Sequence, residues 1–362
     1  MDILIFIIVL VVLIVVHELG HFVVAKMSGM RVDEFGLGYP PRALVLGEKN
    51  GTVYTLNWLP FGGFVKIHGE DGGEQDAQAF SRRPRLLQAL VLVAGIAMNL
   101  LLAYVLIVGA LLLGSPRSIS QEEISRASQV ELGVIQVIPG TPAEEAGLRA
   151  SDAIISADYG EGTWFPTGSM SFPEFVALSG GEEIALTVVR GEEDLSFSVT
   201  PELLTFADSD ARYALGVEVA TIGIISLSFF EAIVDGWKTT GHMIVFTALG
   251  LLDFFKGVFT FSADLASVAG PIGIAGIVGS ASAQGLSYLL SITAIISINL
   301  ALINLIPIPA LDGGRLLFVI VESITRKPIR AGVSQVANAI GFFLLLLLMV
   351  IVSIHDIWKI VG

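Results

Sequence analysis

Long apolar stretches constrain this chain more than any other feature of its sequence. Residues 3–16 contain no polar side chain, and the apolar character continues to residue 25 past one polar interruption. Residues 86–113, 287–311 and 339–354 are three further stretches that are mostly apolar. Because about 20 apolar residues cross the hydrocarbon core of a bilayer as a helix, the sequence predicts a polytopic α-helical membrane protein with about four transmembrane helices.

Two segments allow a second interpretation. Residues 3–25 could be a secretory signal peptide, but no basic region precedes the apolar run and no small-residue cleavage site follows it, which favours a retained span. Residues 222–259 mix apolar stretches with acidic, basic and histidine side chains. Such a composition favours an amphipathic helix that lies at the membrane interface over a helix that crosses the membrane.

Charge is distributed unevenly along a chain whose formal net charge is −14. Residues 115–221 hold eighteen acidic side chains against five Lys or Arg, whereas 26–85 holds eight Lys or Arg and 312–335 holds four. Four spans place both basic loops on one side, which the positive-inside rule makes cytoplasmic, so the acidic segment faces outward. An acidic soluble part argues against a nucleic-acid partner. The absence of cysteine excludes disulfides and thiolate metal sites.

The segments outside the predicted spans favour β structure. Within 30–68, the stretch VYTLNWLPFGGFVKI predicts a strand, a bend at Pro60 and Gly62–Gly63, and a second strand. Residues 126–201 predict one small α+β domain. Its expected strands are 133–138, 183–189 and 195–201, and its expected helices are 141–148 and 172–178. The predicted organisation is a membrane core at 1–114, the α+β domain at 126–201, the interfacial helix region at 222–259 and a second membrane core at 260–362.

The first apolar helix carries His17, Glu18 and His21 near its C-terminal end. Residues four apart on a helix project from one face, so the two imidazoles can bind one metal ion and Glu18 can take a proton from a metal-bound water. This is the HExxH arrangement of zinc metalloproteases, and ionisable side chains inside a span indicate a functional site. The alternative is a helix end whose polar side chains reach the interface.

A catalytic zinc ion keeps three protein ligands, so a third one is needed. The stretch NLIPIPALDGGR at 304–315 supplies Asp312 where two prolines and two glycines interrupt a helix, and such a break is tolerated at membrane depth only against protein or a water-filled cavity. The predicted topology brings Asp312 to the depth of the histidine pair. The alternative is an ordinary loop Asp. The other histidines are His68, His242 and His355.

These motifs together resemble the site-2 protease family, peptidase family M50, of the bacterial regulator-of-sigma-E protease type. The matching stretches are HELGHF at 17–22, LPFGGFVKIHGED at 59–71, FSRRP at 80–84, VAGIAMN at 93–99, the module at 126–201, VAGPIGIA at 268–275 and NLIPIPALDGGR at 304–315. The resemblance implies Zn²⁺ held by His17, His21 and Asp312, with Glu18 as the catalytic acid–base residue. It also implies that substrate contacts Asn304, Pro307, Pro309, Gly62 and Gly63.

The resemblance further implies a membrane-associated β-hairpin at 52–67 and a PDZ domain at 126–201. The implied function is regulated intramembrane proteolysis of pre-trimmed single-span proteins, such as anti-sigma factors or signal-peptide remnants, in the bacterial inner membrane. Many relatives carry two PDZ domains, and the usual A-G-P-x-x-N appears as AGIAMN at 94–99. Two other functions stay open on the residues alone: a PDZ-bearing membrane scaffold with a structural metal site, and an ion-coupled transporter.

Overall fold

The computed structural model describes residues 2–70, 76–120, 123–150, 152–160, 162–168, 170–190, 193–206, 209–260, 269–327, 329 and 331–361. Asp71 and Val268, each at one end of a motif stretch quoted above, lie outside the described residues. The chain forms two compact units. One comprises Met1–Ala110 with Ser228–Gly362, and the other, inserted between them, is Leu111–Leu227.

The first unit is built from helices and one β-hairpin. Its helices are α1 (Asp2–Met27), α2 (Arg85–Leu113), α5 (Phe229–Phe259), α6 (Pro271–Gln284), α7 (Leu286–Leu305), α8 (Asp312–Thr325) and α9 (Ala331–Val361). Five of these, α1, α2, α5, α7 and α9, are long and apolar enough to cross a membrane. Four of the five coincide with the predicted spans. The fifth, α5, lies in the segment that the sequence assigns to the membrane interface.

The contacts between α1, α2 and α7 establish the direction of each helix. Asn99 on α2 contacts Ser297 on α7, and Gly109, further along α2, lies next to Leu290, which comes earlier on α7. These two helices are therefore antiparallel. Helices α1 and α2 are also antiparallel, because His17 contacts Asn99 whereas the later His21 contacts an earlier turn of α2. Helices α1 and α7 therefore run in the same direction.

The N-terminus of α6 is held by an acidic side chain of α9. Asp356, which is 4% exposed, accepts hydrogen bonds from the backbone N–H of Gly270 (3.1 Å) and of Gly273 (2.8 Å). A Cβ atom at Gly270 would lie 2.6 Å from the Asp356 carboxylate. A carboxylate at a helix N-terminus satisfies backbone donors that have no partner within the helix. The regular glycine spacing in this segment thus serves close packing at these two positions.

The hairpin consists of β1 (Val32–Lys49) and β2 (Thr52–Ile67), which are antiparallel. Both strands bend, and the first part of β1 pairs on one side with 53–56 and on the other with 63–67. The predicted β structure is confirmed, but as one continuous strand, Thr52–Ile67, and not as two strands separated by a break; its two ends pair with opposite sides of β1. The 63–67 segment lies at an edge of this small curled sheet, since its pairing among the described residues is with 32–37 alone.

Among its described residues, the inserted unit contains nine strands, two short α-helices and one 3₁₀ turn at Ile124–Arg126. The strands and α-helices are β3 (Ser115–Ser118), β4 (Ser128–Val137), α3 (Pro142–Glu145), β5 (Ala153–Tyr159), β6 (Gly162–Trp164), α4 (Phe172–Leu178), β7 (Ile184–Arg190), β8 (Glu193–Val199), β9 (Glu202–Phe206), β10 (Ser209–Ala214) and β11 (Val217–Ile225). The main sheet has the order β3-β11-β4-β5-β7-β8. Its core is apolar and includes Ile154, Leu186 and Val188.

The unit is wider than the predicted 126–201. Strand β11 pairs with β4 and with β3, and the backbone N–H of Leu227 donates to the carbonyl of Leu111 at 3.0 Å. The chain thus leaves the unit next to the point at which it enters.

Candidate metal centre

His17 and His21 lie one helical turn apart on α1 and face the same point. Their Nε2 atoms are 3.2 Å apart, and each residue is 8% exposed. The Nδ1–H of His21 donates to the backbone carbonyl of Val91 on α2 at 2.8 Å. This bond leaves the lone pair of His21 on Nε2, the nitrogen that faces His17.

A glycine on α2 makes room for both imidazoles. A Cβ atom at Gly95 would lie 2.4 Å from Nε2 of His21 and 2.9 Å from Cε1 of His17. On the facing helix, a Cβ atom at Gly20 would lie 2.4 Å from the carbonyl oxygen of Ala94. All three distances are far below a normal van der Waals contact, so α1 and α2 approach this closely only because neither position carries a side chain.

Asp312 completes the group from a distant part of the chain. Its Oδ2 atom lies 3.0 Å from Nε2 of His17 and 3.2 Å from Nε2 of His21, and the three ligand atoms all lie within 4.8 Å of one another. Among the described residues this is the one group of three or more histidine, aspartate or glutamate side chains that could hold a metal ion.

The donor set fits zinc. Asp312 Oδ2 is buried and accepts no hydrogen bond, although two imidazole nitrogens lie within 3.2 Å of it. Two imidazole nitrogens and one carboxylate oxygen converge here within 3.2 Å of one another, and each carries a lone pair that a cation lying between them would accept. Two histidines and one carboxylate are also the ligands of one class of catalytic zinc site, which keeps a fourth position open.

An unwound segment between α7 and α8 brings Asp312 to this point. Ala310 has a positive φ of 79°, and its backbone N–H donates to the side-chain oxygen of Asn338 on α9 at 3.1 Å. A Cβ atom at Gly313 would lie 2.3 Å from the carbonyl oxygen of Ile306, and one at Gly314 would be equally close to the same segment. The two glycines after Asp312 therefore let the chain fold back on itself.

The three ligands open into a cleft of about 510 Å³. Glu18, Asn304, Gly62 and Gly63 also line it, whereas Pro307 and Pro309 are not among the residues that line the cleft. A Cβ atom at Gly63 would lie 3.3 Å from Cγ of Glu18, so the edge segment of the hairpin passes next to this carboxylate. The side-chain nitrogen of Asn304 lies 3.5 Å from Nε2 of His17.

Several residues of the site were missed by the sequence reasoning. Arg315 forms an ion pair with Glu70, and both line the cleft. Asn338 holds the unwound segment, and Asn99 contacts His17. For Asn99 a signal was present, because a polar side chain inside an apolar span is costly unless it has a partner; Asn338 lies just before the predicted span at 339–354 and gave no such signal. Gly95 stands in the AGIAMN stretch quoted above, but the sequence did not assign it to the metal site.

Known proteins resemble this chain over almost its whole length. The profile of Peptidase family M50 matches residues 5–348. A protein of Clostridium perfringens is 34% identical over 346 residues, which cover 95% of each chain. A protein of Nostoc is 34% identical over 96% of this chain and 93% of its own, and one of Fusobacterium nucleatum is 31% identical over 99% of both. All three carry names of zinc metalloproteases.

Proposed function

This chain belongs to peptidase family M50 and is a zinc metalloprotease, and we propose that it cleaves transmembrane segments of other proteins at the site described above. In this proposal His17, His21 and Asp312 hold the zinc ion and Glu18 moves the proton. One observation carries it: the HExxH residues of α1 converge in one cleft with Asp312, which lies 291 positions after His21 in the sequence.

The chemistry requires one carboxylate that does not bind the metal. Zinc at such a site acidifies a water molecule and polarises a carbonyl group. Glu18 lines the same cleft as the three ligands and is not one of them. Its carboxylate takes the proton of the attacking water and then donates it to the amine that leaves when the peptide bond breaks.

In this proposal, the edge of the hairpin binds the substrate segment in an extended conformation. Carbonyl groups in a helical substrate are engaged in hydrogen bonds, so a transmembrane helix must unwind before hydrolysis. The 63–67 segment is an edge of the curled sheet, and Gly62, Gly63 and the residues up to Ile67 line the cleft. An edge strand offers backbone donors and acceptors to a peptide that adds to the sheet.

The natural substrates follow from the family resemblance: single-span proteins already trimmed on the outer side, such as anti-sigma factors and signal-peptide remnants. The same resemblance supports a position in the bacterial inner membrane, in contact with membrane lipid, with the inserted unit acting as a PDZ domain outside the cytoplasm.

Variants of the site test this function. Purified protein should bind about one zinc ion per chain, because three ligands and an open position form one site. His17→Ala, His21→Ala and Asp312→Ala should each lose most of it, whereas Glu18→Gln should keep zinc and lose peptide cleavage. The matched controls for metal binding, His68→Ala, His242→Ala and His355→Ala, should retain zinc. Cleavage by Glu18→Gln at the normal rate would overturn the assignment of the acid–base residue.

We further propose that four of the five candidate helices cross the membrane. The antiparallel contacts of α2 with α7 put the end of α2 and the start of α7 on one side, so the chain between them crosses an even number of times. If α5 crosses the membrane, a second segment between α2 and α7 must therefore cross it as well. Among the described residues, the other helix of the membrane unit in this interval is α6. It has 14 residues and is about 21 Å long, which is shorter than the roughly 30 Å of a hydrocarbon core.

Labelling of single cysteines tests this topology, because the natural chain contains none. In intact cells, an impermeant reagent should reach Glu193→Cys in the inserted unit and Thr260→Cys after α5, whereas Lys327→Cys should be protected. Protection of Thr260→Cys would mean that α5 crosses the membrane. Labelling of Lys327→Cys from outside would reverse the orientation.

A further inference from the structure

The two histidines of the site differ in what fixes their second ring nitrogen. A histidine that binds a metal through Nε2 carries its proton on Nδ1, and a hydrogen bond from that N–H orients the ring. His21 makes this bond to the backbone carbonyl of Val91. The Nδ1 atom of His17 faces a side chain instead, the amide of Asn99 on α2, at 3.3 Å.

The amide of Asn99 is fully buried, and its two polar atoms differ in their hydrogen-bond partners. Nδ2 is the atom next to His17, while Oδ1 is buried without a hydrogen-bond partner. When Nε2 of His17 binds a metal, Nδ1 becomes a donor, and two donors cannot bond to one another. A half-turn of the amide about its Cβ–Cγ bond exchanges the two atoms, so that Oδ1 accepts from Nδ1–H.

The backbone of Asn99 is held independently of its side chain. The hydroxyl of Ser297 on α7 donates to the Asn99 carbonyl at 2.8 Å, and both residues are 0% exposed. Asn99 therefore lies where α1, α2 and α7 meet, and its side chain has no route to solvent. Its amide therefore lies next to His17 in a position shielded from solvent.

We propose that Asn99 is a positioning residue for the metal site: its Oδ1 accepts the Nδ1–H of His17 and thereby holds this histidine in the tautomer that presents Nε2 to zinc. The inference rests on the proposed zinc ligands and adds a residue that does not touch the metal. The unpartnered oxygen, the burial and the 3.3 Å contact carry it together.

The test compares side chains of similar size with different hydrogen-bonding capacity. Asn99→Leu removes the acceptor, Asn99→Asp keeps two acceptors, and Ser297→Ala removes only the backbone contact of the same residue. Zinc affinity of the purified full-length proteins is measured by competition with a fluorescent chelator, and the ligand geometry by the visible absorption of the Co²⁺-loaded forms. Neither readout depends on cleavage.

Loss of an outer hydrogen bond to a metal ligand typically costs 10–100-fold in metal affinity. Asn99→Leu should show a loss of that size and an altered Co²⁺ spectrum, whereas Asn99→Asp and Ser297→Ala should stay close to the parent protein. Asn99→Asp decides the matter even if Asn99→Leu folds poorly, because a buried carboxylate is tolerated here only if it accepts from the imidazole.

Two outcomes overturn the proposal. One is a parent-like zinc affinity in Asn99→Leu. The other is an Asn99→Asp protein that binds zinc as weakly as Asn99→Leu, which would make the residue a packing element only. His17→Ala in the same assay separates this failure from failure of the proposed function: if His17→Ala keeps its zinc, the ligand assignment itself is wrong.

Discussion

At the scale of single residues, the absence of a side chain matters as much as the ligands themselves. Gly95 faces both imidazoles, and Gly313 and Gly314 let the chain after Asp312 fold back against the unwound segment. Each of these positions brings a candidate ligand into place without being a candidate ligand itself. The close approach of α1 to α2 sets the distance between the histidine pair and the backbone carbonyl that orients His21.

Gly95→Ala is therefore expected to displace both histidines, since the added methyl group would lie 2.4 Å from Nε2 of His21. Zinc binding and cleavage should both fall at least about tenfold, the size of effect that a disturbed metal-ligand environment produces. The matched control is Gly109→Ala on the same helix, where the new Cβ atom would meet Leu290 at an ordinary 3.4 Å. Zinc titration of the two variants makes the comparison; equal affinities would contradict the steric argument.

At the scale of elements, the hairpin is anchored at its base by charged contacts. His68, directly after β2, lies between two carboxylates: its Nδ1 is 3.2 Å from Asp33 and its Nε2 is 2.6 Å from Asp76. Arg31 also pairs with Asp33 at 2.8 Å. The backbone carbonyl of His68 accepts from Phe80, so the same residue joins the hairpin to the segment that leads into α2.

This contact should depend on pH. Hydrogen bonds to Asp76 and then to Asp33 raise the pKa of His68 above its ordinary value, which is about 6.5 in an unfolded chain. A raised pKa in the folded state means that the stabilisation is complete below about pH 6.5 and is lost as pH rises through the folded-state pKa. Increasing pH should therefore loosen the base of the hairpin.

Hydrogen exchange at the Phe80 amide, corrected for its intrinsic rate, measures this loosening. We expect less protection at alkaline pH than at pH 6 in the parent protein. In His68→Gln, which cannot be protonated, protection should be low and independent of pH. A parent-like pH profile in His68→Gln would show that another group is responsible.

At the scale of the whole molecule, the inserted unit is separate from the chemistry. The three candidate ligands, Glu18 and the edge segment of the hairpin all belong to the other compact unit. The ends of the inserted unit lie together, since a Cβ atom at Gly114 would lie 2.9 Å from the Ser226 hydroxyl. The unit can therefore be removed at its own boundaries, with a short linker between these two positions.

Removal of Ser115–Ile225 should leave zinc binding and the cleavage of a pre-trimmed substrate intact, because it takes away no ligand and no proton carrier. Discrimination should change: in the proposed topology the unit lies on the outer side, where it would exclude substrates with bulky outer domains by steric bulk, so the shortened enzyme should cut full-length substrate as well. Rates on both substrates measure this, with Glu18→Gln in each background as the control. Unchanged discrimination together with slower cleavage of trimmed substrate would favour peptide binding by the unit.

The narrower boundaries predicted from sequence would make a poorer deletion. Removing 126–201 takes away β4, the strand on which β11 is paired, and leaves β11 behind with β3. Strand β11 pairs with β4 although Val217 and its partner Val137 are 80 residues apart in the sequence, and no local sequence pattern predicts such a pairing.

What the sequence determined by itself is local. Apolar length predicts α1, α2, α7 and α9, because a helix that crosses a bilayer must satisfy its backbone internally over a fixed distance. The four-residue spacing of His17 and His21 determines that they share a helix face. The bend in β2 follows from Pro60 and Gly62, whose backbone preferences act within one or two residues.

The tertiary structure decided everything that depends on how helices face one another. Asn99 and Gly95 lie against the two histidines of the candidate metal centre, and Asn338 holds the unwound segment, only through the rotation and separation of packed helices. Spacing along one helix specifies which residues share a face, but it does not specify which face of a neighbouring helix lies opposite. That choice is made by the fit of many side chains at once.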